Sequence, residues 1–102
     1  MFRELTKSLA YLATLQRKWS LHILFLLHKY EKMSFNMLKK TIRPITSKVL
    51  SKHLSQLLDL GIIVKNIVVE KPLKVEYYLS EKGRLVLSYM LNLAGIFKEE
   101  EK

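Results

Sequence analysis

A chain of 102 residues, 49% of them apolar, is long enough for one continuous core and too short for two, so a single domain over residues 1–102 is expected. Eighteen Lys and Arg against nine Asp and Glu leave a net charge of +9, which points to a polyanionic partner, nucleic acid before anionic lipid. The absence of Cys excludes disulfides, thiolate metal sites and thiol-based redox sensing, so packing alone must hold the fold.

Residues Met1 to Ala10 carry Glu4 and Lys7 and lack the apolar core of a secretory signal, so a cytoplasmic location is expected. Phe2, Leu5, Leu9 and Leu12 recur at helical spacing, predicting an amphipathic helix over about 3–15. From Trp19 through Leu27 nearly every side chain is apolar, which predicts a central, deeply buried helix. Ser34 is a candidate N-cap for a short helix to Thr41, with Phe35, Leu38 and Ile42 facing inward. Pro44 cannot continue that helix, and a turn is expected at 42–45.

Thr46 or Ser47 can cap the next helix, which runs to Leu60 and ends at Gly61 in the left-handed conformation. Its two faces separate: Val49, Leu50, Leu54, Leu57 and Leu60 on one, Lys48, Ser51, Lys52, Ser55 and Gln56 on the other. The β-branched runs Ile62 to Val69 and Val75 to Tyr78, with Glu70 to Lys74 between them, predict a β-hairpin with a basic tip. Ser80 can cap the last helix. Its apolar stretch from Leu85 to Phe97 has Ser88 and Asn92 inside it and falls short of the roughly 20 residues that span a bilayer. A buried helix, apolar all round and covered on two sides, is expected there, and no membrane partner.

The order helix, short helix, turn, two-faced helix, hairpin is that of a winged helix-turn-helix. The fold class expected is therefore mainly α with a small β-hairpin (α+β). The winged core covers about 16–83, with additional helices at about 3–15 and 81–98 for dimerisation. Charge follows the same order. No acidic residue stands between Glu31 and Asp59, whereas Lys32, Lys39, Lys40, Arg43, Lys48 and Lys52 do, where phosphate attraction requires them.

The expected DNA-binding set is Lys39, Lys40, Arg43, Thr46, Ser47, Lys48, Ser51, Lys52, Ser55 and Gln56, joined by Lys71 and Lys74 on the wing. Short Ser side chains let the helix backbone approach the groove, Lys48 and Lys52 reach phosphate or guanine, and Gln56 is a candidate partner for adenine. Lys71 and Lys74 suit a wing that grips phosphates. Against these readings stand a merely solvated helix face and an edge hairpin protected by charge. The acid-free run and the order of the elements favour DNA.

Other chemistry finds no support. His22 and His28 are six apart, well off one helical face, so no metal is expected; His53 falls in the apolar arc of its helix and is read as a packing residue. Trp19, Tyr77 and Tyr78 are read as core and sheet residues rather than base-stacking platforms. Paired carboxylates, a nucleophile beside a His and a Gly-rich phosphate loop are all missing, so neither an enzyme nor a cofactor is expected.

From Lys18 to about Leu91 the chain resembles the HxlR family of winged-helix transcription regulators. The matching words are Lys18-Trp19-Ser20-Leu21, Phe35-Asn36-x-Leu38, Ile45-Thr46-x-Lys48-Val49-Leu50-Ser51, Leu57 followed by Gly61-Ile62-Ile63, and Val75-Glu76-Tyr77-x-Leu79-Ser80-x-x-Gly83-Arg84. The resemblance implies a homodimer joined by its first and last helices, each protomer reading one half of a pseudo-palindromic operator. Arg17, where the family usually has Gly, and Met37, where it usually has Glu, depart from the pattern. The N-terminal sensing Cys of many members is absent, and His53 stands where Arg is frequent.

The function expected is a sequence-specific regulator that binds double-stranded DNA as a homodimer through Phe2, Leu5, Leu9, Leu12, Leu87, Met90, Leu91, Ala94 and Phe97. Two alternatives are a winged-helix interaction module within a larger transcription or replication assembly, and a sequence-indifferent architectural DNA binder.

Overall fold

Ile23, Leu24 and Leu27, on one face of the second helix, are at most 1% exposed and form the centre about which the other elements are arranged. In the computed structural model, which describes residues 2–15, 17–69 and 71–98, the order is α1 (Phe2–Leu15), α2 (Lys18–Tyr30), β1 (Lys32–Ser34), α3 (Phe35–Thr41), α4 (Ser47–Asp59), β2 (Ile63–Val68), β3 (Lys74–Leu79) and α5 (Glu81–Lys98). Leu38, Ile42, Leu50, Leu54, Leu57, Ile62 and Leu87 belong to the same buried cluster. Removing each such side chain from water is worth about 1.5–3 kcal/mol. This is the α+β winged helix expected.

The helix boundaries are set by caps. Ser34 Oγ accepts from Met37 N–H at 3.2 Å, and Thr46 Oγ1 accepts from Val49 N–H at 3.2 Å, each satisfying one free amide of a first turn. Between those caps the chain turns through Arg43 and Pro44, where the Ile45 N–H bonds back to Ile42 O at 2.8 Å. Gly61 ends α4 at φ +71, which a side chain would resist. Ser80 Oγ accepts from Gly83 N–H at 2.9 Å and lies 2.6 Å from Gly61 O, so one hydroxyl starts α5 and ties it to the end of α4. Lys82 Nζ donates to Leu60 O at 2.9 Å across the same junction.

The hairpin is part of a three-stranded antiparallel sheet in the order β1-β3-β2. β1 was not foreseen from the sequence: it has only three residues, too few for alternation to register, although Met33 is buried between exposed Lys32 and half-buried Ser34. Its register pairs Met33 with Tyr77. In the hairpin, Ile63 faces Leu79, Lys65 faces Tyr77 and Ile67 faces Val75.

The burial of α2 is less complete than expected, and that of α5 is partial within one chain. α2 is not enclosed all round, since Phe25 is 38% exposed and His22 is exposed as well. In α5 the buried residues are Gly83 and Leu87, whereas Tyr89, Leu93, Ile96 and Phe97 are each more than half exposed. Leu87 closes the core, and within one chain the later turns of α5 are only partly covered.

Candidate nucleic-acid interface

α3 and α4 are joined by the turn at Pro44 and carry the basic residues of this region. On α4 the split of faces is clear: Leu50, His53, Leu54 and Leu57 are buried, and Ser47, Lys48, Ser51, Lys52 and Ser55 are exposed, with capping Thr46 exposed just before them. Gln56 departs from the expected set. It is half-buried, with its Oε1 shielded from solvent and unbonded among the described residues. Standing three residues after buried His53 and four after exposed Lys52, it lies at the boundary of the two faces of α4.

Lys39, Lys40 and Arg43 are all exposed and line, with Asn36, Pro44 and Ile45, a cleft of about 400 Å³ at the start of the turn. Asn36 was not in the sequence-derived set; its spacing of three and four from Lys39 and Lys40 was the signal that could have included it. On the hairpin Lys71 and Lys74 are exposed, as is Lys65, another cation that the sequence reading passed over.

His53 is 7% exposed, and its Nδ1 lies 3.1 Å from the Oγ of Ser20, which is fully buried on α2. Burial first, and then the positive charges of Lys52 and Arg17, hold its imidazole pKa below the usual histidine value. The ring is thus a neutral packing and hydrogen-bonding group that fixes α4 against α2, in agreement with the packing role expected for it.

Of the residues expected to dimerise, Phe2, Leu5, Leu9, Leu12, Leu91, Ala94 and Phe97 are exposed and Met90 is half-buried. Leu87 is corrected: at 1% exposure it belongs to the chain's own core and has no surface left for a partner. Leu21 and Phe25 of α2, which the sequence reading treated as interior, line an apolar cleft with Met90, Leu93, Ala94 and Phe97. No helix among the described residues is long and apolar enough to cross a membrane, and no group of three or more His, Asp or Glu among them could hold a metal ion.

Comparison with known proteins points to one family and the same fold. A family model described as HxlR-like helix-turn-helix matches residues 14–101. The HTH-type transcriptional regulator YdzF of Bacillus subtilis (strain 168) is 42% identical over 67 residues, which span 66% of this chain and 62% of that protein's length. Among solved structures, diamide-treated YodB from B. subtilis superposes with a TM-score of 0.78 at 25% identity, covering 90% of this chain and 89% of that one. A MarR-family protein from Porphyromonas gingivalis W83 superposes with a TM-score of 0.75 at 32% identity, covering 93% of this chain and 89% of that one.

Proposed function

The chain belongs to the HxlR-like helix-turn-helix family, and from that premise we propose that it is a non-enzymatic transcription regulator of the cytoplasm that binds double-stranded DNA as a homodimer. α4 enters the major groove, its N-terminal half against the bases, while Lys71 and Lys74 of the wing engage the backbone.

The observation that carries this reading is the composition of α4's free face. Ser47, Ser51 and Ser55 are short enough for the helix to approach the base edges, and Lys48 and Lys52 among them reach guanine or phosphate. Exposed Lys39, Lys40 and Arg43 continue the positive surface onto α3 and the turn, where the strand leaving the groove would pass. Thr46 is committed to capping and positions α4 rather than reading sequence. Gln56 is withdrawn from the reading set because its oxygen is already shielded.

Dimerisation supplies the second half-site. The exposed apolar stripe of α1 and the outer turns of α5 are the surfaces available for it, with Leu21 and Phe25 of α2 at their margin. The signal to which such a dimer responds does not pass through a thiol, because the chain has no Cys.

Selection of bound fragments from a random duplex pool tests the proposal. A two-fold motif with half-sites about one helical turn apart is the expected result. Binding without an enriched motif would instead mark an architectural binder, and a monomer that ignores DNA an interaction module.

A further inference from the structure

A cavity of about 550 Å³ opens where α2, β1, β3 and α5 meet, and none of its lining residues belongs to α4. Small-molecule sites typically enclose about 300–1,000 Å³. Buried Leu27 and Leu79 give it an apolar lining, together with the ring of Tyr78. Its polar lining comes from His28 and Glu31 at the end of α2, Lys32 on β1 and Arg84 on α5. Lys32 is the cross-strand partner of Tyr78, so the two stand on one side of the sheet. Arg84 is held in place by its Nη1, which donates to Leu79 O at 3.0 Å and leaves the rest of the planar fork for a ligand. Among the described residues, Glu31 alone combines a side chain with positive φ. At φ 67 and ψ −50 it stands outside the left-handed well in which helices usually end, a strain of the kind that clusters at ligand sites.

The lining carries charges of both signs, and these decide what it can take. Lys32 and Arg84 attract a carboxylate. Glu31 attracts a cation, as does the C-terminal end of α2, whose last turn includes Leu27 and His28 and whose carbonyls carry a partial negative charge. A plain organic acid would leave Glu31 and the helix end repelling it, and a plain amine would leave Lys32 and Arg84 unpaired. A zwitterion with an apolar body uses every group. We propose that the cavity is the effector site of this regulator and takes an apolar α-amino acid, its carboxylate on Lys32 and Arg84, its ammonium at Glu31 and the end of α2, and its side chain against Leu27, Leu79 and Tyr78. Only the effect of the ligand rests on the DNA-binding reading above. Arg84 stands in the first turn of α5, whereas the other lining residues belong to α2 and the sheet, so a bound ligand joins that helix to the winged unit. In a dimer joined through α5, the angle of the helix on the winged unit sets the separation of the two α4 helices, and a ligand bound more tightly at one angle shifts duplex affinity.

The test titrates the full-length protein with L-leucine and L-phenylalanine, each beside the acid that lacks its amino group and the amine that lacks its carboxylate. Calorimetry gives affinity, and the methyl resonances of Leu27 and Leu79 locate the ligand. At least one amino acid should shift those methyls and bind about tenfold or more tightly than its acid and its amine, since each of these loses a charged hydrogen bond. Glu31→Gln should abolish the preference over the acid, and Lys32→Gln should weaken the preference over the amine. Lys32 and Glu31 are both exposed, so these variants should keep the wild-type melt. The amino acid should also change affinity for a duplex selected from a random pool, read by anisotropy. Methyls that no probe moves at millimolar concentration, or an acid that binds as tightly as its amino acid, overturn the site. An amino acid that binds without altering duplex affinity overturns the effector role. A protein that takes the amino acid but no duplex overturns the DNA-binding reading, and with it the effector role, while leaving the site in place.

Discussion

Ser20 Oγ and His53 Nδ1 stand 3.1 Å apart in the core, so the helix carrying the candidate reading face is tied to the central helix by one buried polar pair. Burial and the neighbouring Lys52 and Arg17 charges favour the neutral ring, which places its folded-state pKa below the unfolded value of 6.5. The sign follows. Above 6.5 both states hold a neutral ring and the contribution to stability is complete; as pH falls through that value the unfolded chain takes up a proton that the folded chain resists, and stability declines until the lowered folded pKa is passed. Denaturant midpoints should therefore fall between pH 7 and 5 for the wild type, and the fall should be smaller for His53→Gln. Equal slopes for the two proteins would remove His53 as its origin. Ser20→Ala, which leaves Nδ1 unpaired in the interior, should cost about 1–3 kcal/mol at neutral pH.

Gly83 tests the junction between wing and last helix. A Cβ built at this position would lie 2.0 Å from the Ile62 carbonyl oxygen, a backbone atom that cannot swing aside. Gly83→Ala should therefore be destabilising by about 1–3 kcal/mol or more, although alanine favours helices elsewhere. Gly95, near the other end of the same helix, has nothing within 4 Å of its Cβ position. Gly95→Ala should stabilise slightly. Thermal melts of the two variants would decide, and a loss at Gly95 equal to that at Gly83 would contradict the packing described.

These residues also show what the sequence made legible. The caps at Ser34, Thr46 and Ser80 and the turn at Gly61 could be read in advance because capping acts within three or four residues along the chain. β1 could not, because three residues carry no period and Lys32 finds its partner Tyr78 far down the sequence. Helical periodicity separated the faces of α4 except at Gln56, which stands at their boundary, where the tilt of a helix on its neighbours decides exposure. Leu87 and Phe97 look alike in a list of apolar residues. Only the place where α5 leaves the core distinguishes the first, which is buried, from the second, which is not.

The α4 face and the wing cations should separate in a binding assay. Ser51 is exposed in the middle of the free face, so Ser51→Glu puts a carboxylate where base edges and phosphates are expected and should reduce specific affinity at least a hundredfold with the fold unchanged. Lys39→Ala with Arg43→Ala, in the basic cleft before α4, should instead weaken selected and random duplexes by the same factor and lower the log–log salt slope by roughly 0.9 per phosphate lost. Titrations at several salt concentrations measure both. Full specific affinity in the Ser51 variant would move the reading face elsewhere on the molecule.

The last prediction concerns the apolar surface that one chain leaves open. Leu93 and Phe97 are 53% and 59% exposed, four residues apart on α5, and both line the cleft that Phe25 of α2 shares. Side chains this exposed contribute little to the stability of a single chain, so Leu93→Glu with Phe97→Glu should leave the melt of the isolated winged unit nearly unchanged. Across a two-fold axis the same substitutions would bring four carboxylates into an apolar contact, where each loses hydration without gaining a partner. Sedimentation should show a monomer, and the footprint on a two-fold site should shrink to one half-site or weaken by the factor that the second half-site supplied. The stripe of α1, with Leu5 and Leu9 about half exposed, gives an independent variant: Leu5→Glu with Leu9→Glu should reproduce the monomer if both helices contribute to one interface. A dimer that survives both pairs of substitutions would place the interface outside α1 and α5.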